Sequence, residues 1–471
     1  MTRVVIVGGG PGGYEAALVA SQLGGEVTLV EEVAPGGSSV LTDAVPSKTL
    51  IATSDVMDMV RTAGTLGIRV REDAAAEGDS PLEAVEVDLD RVNTRVRELA
   101  RAQSRDIARS LGAAGVTVIA GRGRLADAHT VQVRTEDDEL ELPADVILIA
   151  TGTHPRILPT AQPDGERILT WTQLYHLDEL PERLIVVGSG VTGAEFASAY
   201  DALGSDVVLV SSRDTVLPGE DSDAAKVLQD VFERRGMEVM SRSRAESVTR
   251  DGDEVVVTLT DGREVRGSHC LIAVGSIPNT SGIGLVEAGV ELDDNGFVVV
   301  DKVSRTTAPG VYAAGDCTGV LMLASVAAMQ GRKAMWHALG DAVTPLDLAK
   351  VASNVFTAPE IATVGFTQKQ FDEGALPAER VILPLARNPR AKMQAIDDGL
   401  IKLFVLPLTG IIVGGVVVAP KASELIHPIS LAVSARMTVD DFMSAFTVYP
   451  SLTGSLAEAA RQLHRRGQVG S

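Results

Sequence analysis

Cysteine is nearly absent from this chain: 471 residues carry two, Cys270 and Cys317. That excludes the disulfide framework of a small secreted domain. The seven histidines are scattered, with none in ligand spacing, so no metal site is expected. Basic residues are in deficit, 42 against 63 acidic, for a formal charge of -21. Such a surface repels phosphate backbones and argues against a nucleic-acid partner. No apolar run reaches the ~18 residues of a membrane helix. The opening MTRVVIVGGG reads as a strand entering a glycine turn, not as a leader peptide. The expectation is a cytoplasmic protein without membrane insertion. What is plentiful is glycine, 46 residues, and the aliphatic share of a 45% hydrophobic content, which suits buried parallel strands.

The chain contains an internal duplication. VVIVGGGPGGYEAALVASQLGGEVTLVEE starts at Val4, and LIVVGSGVTGAEFASAYDALGSDVVLVSS starts at Leu184. Each reads as strand, glycine turn, helix and second strand, the context that gives G-x-G-x-x-G its meaning. In the first, Gly8 permits the tight turn, Gly10 lets a pyrophosphate approach the backbone, and Gly13 lets helix and strand pack closely. Gly188, Gly190 and Gly193 repeat the pattern. The helix N-termini supply unpaired N–H groups to phosphate.

Glu31 ends the second strand of the first copy, where a carboxylate accepts from an unphosphorylated ribose, as in FAD or NAD. The matching position in the second copy is the neutral Ser211, followed by Ser212 and Arg213. No carboxylate there repels a 2′-phosphate, and Arg213 can pair with one. The second site is therefore expected to favour NADPH over NADH. The alternative for Arg213 is an ordinary solvated arginine.

Residues 74–90 turn acidic and read as a surface insertion before an amphipathic helix at 89–113. Short strands follow near 116–120, 130–135 and 140–149, ending in ATGTHP, where Thr151 and Gly152 are expected cofactor contacts. Strands near 255–259 and 264–274 end in AVGSIPN. GVYAAGD precedes a helix starting near Leu323. From Ala349 onward the strands KLFVL and GIIVGGVVVAP and two helical stretches read as an α/β domain without a glycine fingerprint. The fold class is α/β with two Rossmann-like domains. Residues 1–152 and 276–348 are expected to bind FAD, 153–275 to bind NAD(P)H, and 349–471 to form a C-terminal α/β dimerisation domain.

The ordered motifs GGGPGG, VEE, GG-x8-PSK, ATG, GSGVTGAE, YAAGD, FTAPEIA and YPSL span almost the whole chain. Together they resemble the pyridine nucleotide-disulfide oxidoreductases, the family of lipoamide dehydrogenase and glutathione reductase. The resemblance implies a homodimer of FAD, NAD(P)H, central and interface domains. It assigns Asp316 to the ribityl chain of the flavin, Lys48 to a place beside flavin N5, and Glu195 to the partner of that lysine. A positive charge there stabilises an anionic reduced ring, and a buried lysine needs a carboxylate to stay charged.

The redox motif of that family is G-G-T-C-x4-C-x-P-S-K. Here Ser39 stands at the first cysteine and Ala44 at the second, and neither can form a thiolate. The C-terminal H-P-T-L-S-E element reads Tyr449, Pro450, Ser451, Leu452, Thr453, Gly454, so the histidine and its glutamate are both gone. Cys270 sits in a strand-like segment and Cys317 beside Asp316. Both read as buried packing residues rather than redox groups.

The pattern keeps the hydride half and drops the dithiol half. The expected reaction takes hydride from NAD(P)H to FAD and then reduces a small acceptor directly. A quinone fits the space left by Ser39, Ala44 and Gly454, with Tyr449 of a second copy offering an aromatic face and a hydroxyl. The stretch RILPTAQPDGERILTW, with GSGVTGAEF and YPSLTGS, resembles the dithiol-lacking LpdA-type branch, which are NAD(P)H:quinone reductases. Two alternatives stay open at this point: a soluble pyridine nucleotide transhydrogenase, and a non-catalytic FAD-holding dimer.

Overall fold

The computed structural model describes residues 1–68 and 85–464. Most of the expected acidic insertion therefore lies outside the described residues. In chain order the elements begin with β1 (Arg3–Val7), α1 (Pro11–Gln22), β2 (Glu26–Glu31), α2 (Gly37–Leu41), α3 (Ala44–Thr62) and α4 (Leu89–Ala113). Next come β3 (Thr117–Ala120), β4 (Arg122–Asp127), β5 (Thr130–Arg134), β6 (Glu139–Pro143), β7 (Val146–Ile149), β8 (Thr153–Pro155) and β9 (Ile168–Thr170). The second fingerprint lies between β10 (Arg183–Val187) and α5 (Val191–Leu203), followed by β11 (Asp206–Val210), α6 (Ser222–Arg234) and β12 (Glu238–Met240). Then come β13 (Ala245–Asp251), β14 (Glu254–Leu259), β15 (Glu264–Gly267), β16 (His269–Ile272), β17 (Ser276–Pro278), β18 (Val311–Ala313) and α7 (Ala324–Ala338).

The described parts of Met1–Thr49, Arg91–Arg156 and Gly275–Asp347 form one compact unit. Its centre is a parallel sheet in the order β18-β7-β1-β2-β3. Side chains alternate across a strand, and β1 shows why its sequence is apolar without a break. Val4 and Ile6 pack with Ala16, Ala17 and Ala20 of α1. Val5 and Val7 pack on the other face with Leu125, Val131 and Val133 of the antiparallel β4-β5-β6 sheet. Helices α1 and α7 approach so closely that a Cβ on Gly331 would lie 2.0 Å from the Gly12 carbonyl oxygen.

The second unit comprises the described parts of Leu50–Asp90, Ile157–Val274 and Leu348–Ser471. It holds a parallel sheet, β12-β11-β10-β16-β9, and an antiparallel meander of β13, β14 and β15. Its C-terminal part adds β19 (Ala352–Val355), β20 (Glu360–Gly365), α8 (Gln368–Asp372), β21 (Glu379–Pro384), α9 (Pro389–Met393), β22 (Leu400–Val405) and β23 (Ile412–Ala419). Helices α10 (Ala422–Leu425), α11 (His427–Ala435), α12 (Val439–Ser444) and α13 (Gly454–Leu463) complete it. The five strands form an antiparallel sheet, β19-β20-β23-β22-β21.

Three expectations change. The single strand over 140–149 is two, because Pro143 ends the ladder with β5 and Asp145 turns back to hold the Arg3 N–H at 2.8 Å. The segment 264–274 divides at Ser268, whose hydroxyl bonds to the Arg183 backbone on both sides. The two C-terminal helical stretches are four helices. Arg436, in the left-handed region at φ 54°, stops α11, and a Thr438–Asp441 capping box starts α12. Among the described residues no helix is long and apolar enough to cross a membrane.

Candidate active site and nucleotide sites

Gly8 leaves β1 at φ 102°, and a Cβ there would lie 2.3 Å from the Ala150 carbonyl oxygen. A Cβ on Gly13 would lie 1.9 Å from the Gly8 oxygen, so α1 sits against its own strand as the fingerprint requires. Gly10 has nothing within 4 Å of its missing side chain, which leaves backbone open to a phosphate. Glu31 accepts the Gly9 N–H at 2.6 Å and the Val33 N–H at 2.9 Å. A carboxylate offers about four acceptor positions, so capacity remains for ribose hydroxyls.

Asp316 follows β18 on the turn opened by Gly315 (φ 83°). Burial, and then the nearby Asp43, push its carboxyl up to about 6. Thr153 lies 3.4 Å from it across a long hydroxyl contact. The Thr151 hydroxyl is buried beside the Cys317 thiol, and the Thr151 carbonyl accepts from the Asn279 amide at 2.9 Å. A buried carboxylate whose hydroxyl contact is long is what a polyhydroxyl cofactor chain would satisfy. With the open Gly10 turn, this chemistry is compatible with FAD. Thr153, Asp43 and Asn279 went unnoticed in the sequence as site residues. Asn279 had a signal, because SIPN echoes THP at the end of a matching strand.

Lys48 is half-buried on α3, whose first residue is Ala44. The Ser39 hydroxyl donates to the Gly36 carbonyl at 3.1 Å, which restrains it and does nothing to activate it. Both cysteines are free and fully buried. Burial pushes the Cys317 thiol up to about 11 and the Cys270 thiol up as well, the opposite of what thiolate chemistry needs.

The second fingerprint repeats the first. Gly188 (φ 113°) and Gly193 would bring a Cβ to 2.2 Å from the Ala273 oxygen and 1.8 Å from the Gly188 oxygen, while Gly190 is open. In place of a carboxylate, the fully buried Ser211 has its hydroxyl 2.6 Å from that of Ser189 and accepts the Arg213 N–H at 3.1 Å. Arg213 itself is exposed. Glu195 is buried on α5 and accepts the Phe356 N–H at 2.9 Å.

Tyr449 is 82% exposed, beside the exposed Phe446 and Val448. It lines a pocket of about 440 Å³ with Arg387, Asn388, Ser451 and Glu458. Asn388 fixes this loop by donating to the Ser451 carbonyl at 3.0 Å and to the Ser455 hydroxyl at 2.7 Å. A side chain on Gly454 would have nothing nearer than 3.8 Å, so the position is open. Among the described residues no group of three His, Cys, Asp or Glu side chains could hold a metal ion.

Two dinucleotide turns on parallel sheets and an antiparallel C-terminal domain define a two-nucleotide oxidoreductase. The profile for pyridine nucleotide-disulphide oxidoreductases matches residues 2–331, and that for their dimerisation domain matches 351–460. The chain belongs to this family, whose cofactors are FAD and NAD(P)H. It is 53% identical to the NAD(P)H dehydrogenase (quinone) of Mycobacterium tuberculosis, over 98% of this chain and 94% of that one. It is 31% identical to the dihydrolipoyl dehydrogenase of Bacillus subtilis, over 98% and 96%. The crystal structure of LpdA from Mycobacterium tuberculosis superposes with a TM-score of 0.93 at 52% identity, covering 99% and 100% of the two chains.

Proposed function

We propose that this protein is an NAD(P)H:quinone oxidoreductase that works without a redox disulfide. The observation that carries the reading is the pair Ser39 and Ala44 in an otherwise intact cofactor frame. The quinone specificity named for the Mycobacterium tuberculosis relative supports it. Bound FAD would supply the two-electron chemistry, taking hydride from the nucleotide and passing electrons to the acceptor.

The roles of the residues follow. Gly8, Gly10, Gly13 and Glu31 hold the FAD pyrophosphate and ribose, with Thr151, Gly152 and Asp316 on the rest of the cofactor. Gly188, Gly190 and Gly193 hold the nucleotide pyrophosphate, and Ser211 with Arg213 favours NADPH. Lys48 brings positive charge to the cofactor ring, and Glu195 supplies the balancing carboxylate. Tyr449 works from a second copy of the chain, stacking on a flat acceptor and bonding one of its oxygens. The domain assignment read from the sequence, a homodimer and a cytoplasmic location belong to the same reading.

Steady-state oxidation of NADPH tests it, with a naphthoquinone, lipoamide and oxidised glutathione as alternative acceptors. Turnover with the quinone alone is expected. Turnover with either disulfide contradicts the reading.

A further inference from the structure

Residues at the carboxyl edge of the second parallel sheet extend the nucleotide site beyond the motif. In the order β12-β11-β10-β16-β9 all strands run the same way, so the chain after β12 emerges beside the chain after β11. Nucleotides bind at that edge. Backbone hydrogen bonds join the two loops: Ser211 N–H to the Met240 carbonyl at 3.0 Å, Ser243 N–H to Ser211 at 2.7 Å, and Arg242 N–H to Arg213 at 2.8 Å. Arg242 adopts the left-handed region, φ 54°, which β-branched or bulky residues rarely occupy. The strained turn and the backbone bond set Arg242 next to Arg213, at the end of the strand where a second ribose would lie.

The two guanidinium groups are differently engaged. No ion pair or side-chain hydrogen bond is recorded for Arg213 among the described residues. Arg242 gives its Nε to Asp214 at 2.6 Å, and both partners are about four-fifths and three-quarters exposed. A pair this wet holds its partner weakly, and its two Nη groups remain for an anion.

We infer that Arg242 is a second cation for the 2′-phosphate of NADPH, acting with Arg213, and that Asp214 is the counter-charge that tempers the preference. This rests on the NADPH reading above and adds a residue that no glycine fingerprint marks. Charge-assisted contacts from two arginines to one phosphate discriminate strongly against the 2′-hydroxyl of NADH.

The test uses the FAD-loaded enzyme and two probes, 2′,5′-ADP and 5′-AMP, as competitive inhibitors of nucleotide oxidation. Arg242→Gln is expected to weaken 2′,5′-ADP and raise the KM for NADPH by roughly ten-fold, with 5′-AMP and NADH unchanged. Asp214→Asn is expected to strengthen 2′,5′-ADP. Arg242→Lys, which keeps the charge, is expected to recover part of the loss. An Arg242→Gln enzyme that loses both probes equally would make the residue structural. One that loses neither, while Arg213→Gln loses 2′,5′-ADP, would leave Arg213 alone at the phosphate and overturn the inference. If the wild type binds 2′,5′-ADP no better than 5′-AMP, the NADPH reading falls first and the inference with it.

Discussion

The Glu195 carboxylate accepts the Phe356 backbone N–H at 2.9 Å, joining α5 to the strand that leads into FTAPEIA. That bond holds the carboxylate in one orientation inside a buried site. Glu195→Gln can keep the bond through its carbonyl oxygen but loses the charge. The expected result is a folded enzyme whose NADPH half-reaction slows by ~10–100-fold, the size of one charge interaction worth about 1.5–3 kcal/mol. Glu195→Ala also strands the Phe356 N–H and is expected to lose about 1–3 kcal/mol of stability. Stopped-flow absorbance and urea unfolding separate the two effects.

Asp316 is expected to couple cofactor retention to pH. Its carboxyl is pushed up to about 6 by burial and by Asp43. Folded protein without cofactor therefore binds more protons than unfolded chain between about 4 and about 6, and stability falls as pH rises through that window. A cofactor hydroxyl donating to Asp316 favours the anion, so FAD binding releases a proton there. The FAD dissociation constant is expected to rise as pH drops below about 6, and to be flat over the same range in Asp316→Asn. Fluorescence titration of the cofactor against pH checks it.

The glycines separate the two nucleotide sites. Gly193→Ala would place a Cβ 1.8 Å from the Gly188 oxygen, forcing α5 off its strand. That variant is expected to purify yellow and fail to be reduced by NADPH. Gly13→Ala, with its clash at 1.9 Å against Gly8, is expected to purify without FAD. Absorbance of the purified variants before and after NADPH reads both outcomes.

Lys402 tests the second unit. It is fully buried in β22 and bonds Asp221 at 2.7 Å, Asp223 at 2.6 Å and Gln368 at 3.1 Å. Lys402→Met would leave Asp221 charged and buried, a loss of about 3–5 kcal/mol. Adding Asp221→Leu is expected to recover part of it. Urea unfolding of the single and double variants measures this.

The geometry of the two glycine turns was legible because the fingerprint spacing dictates where strand and helix must approach closely. Gly8, Gly10 and Gly13 and their second copy occupy the turns the pattern required, and Leu89–Ala113 is the helix its amphipathic pattern described. Strand ends inside apolar runs were harder. Val146–Ile149 joins a parallel sheet and Glu139–Pro143 an antiparallel one, yet only Pro143 and Asp145 mark the change. Asp43 was not found because it acts on Asp316, far along the chain, and the part proposed for Arg242 rests on a backbone bond to Arg213 in another loop. The Lys402 cluster was silent for the same reason, since a lysine within KLFVL gives no hint that three polar partners enclose it.

The central claim is that electrons leave without passing through sulfur. The most direct measurement reduces the FAD-loaded enzyme anaerobically with one equivalent of NADPH, then mixes it rapidly with a naphthoquinone or with lipoamide while recording flavin absorbance. The account predicts full bleaching by that single equivalent, prompt recovery with the quinone, and a flavin that stays reduced with lipoamide. A second equivalent needed for bleaching, or recovery with lipoamide, would contradict it.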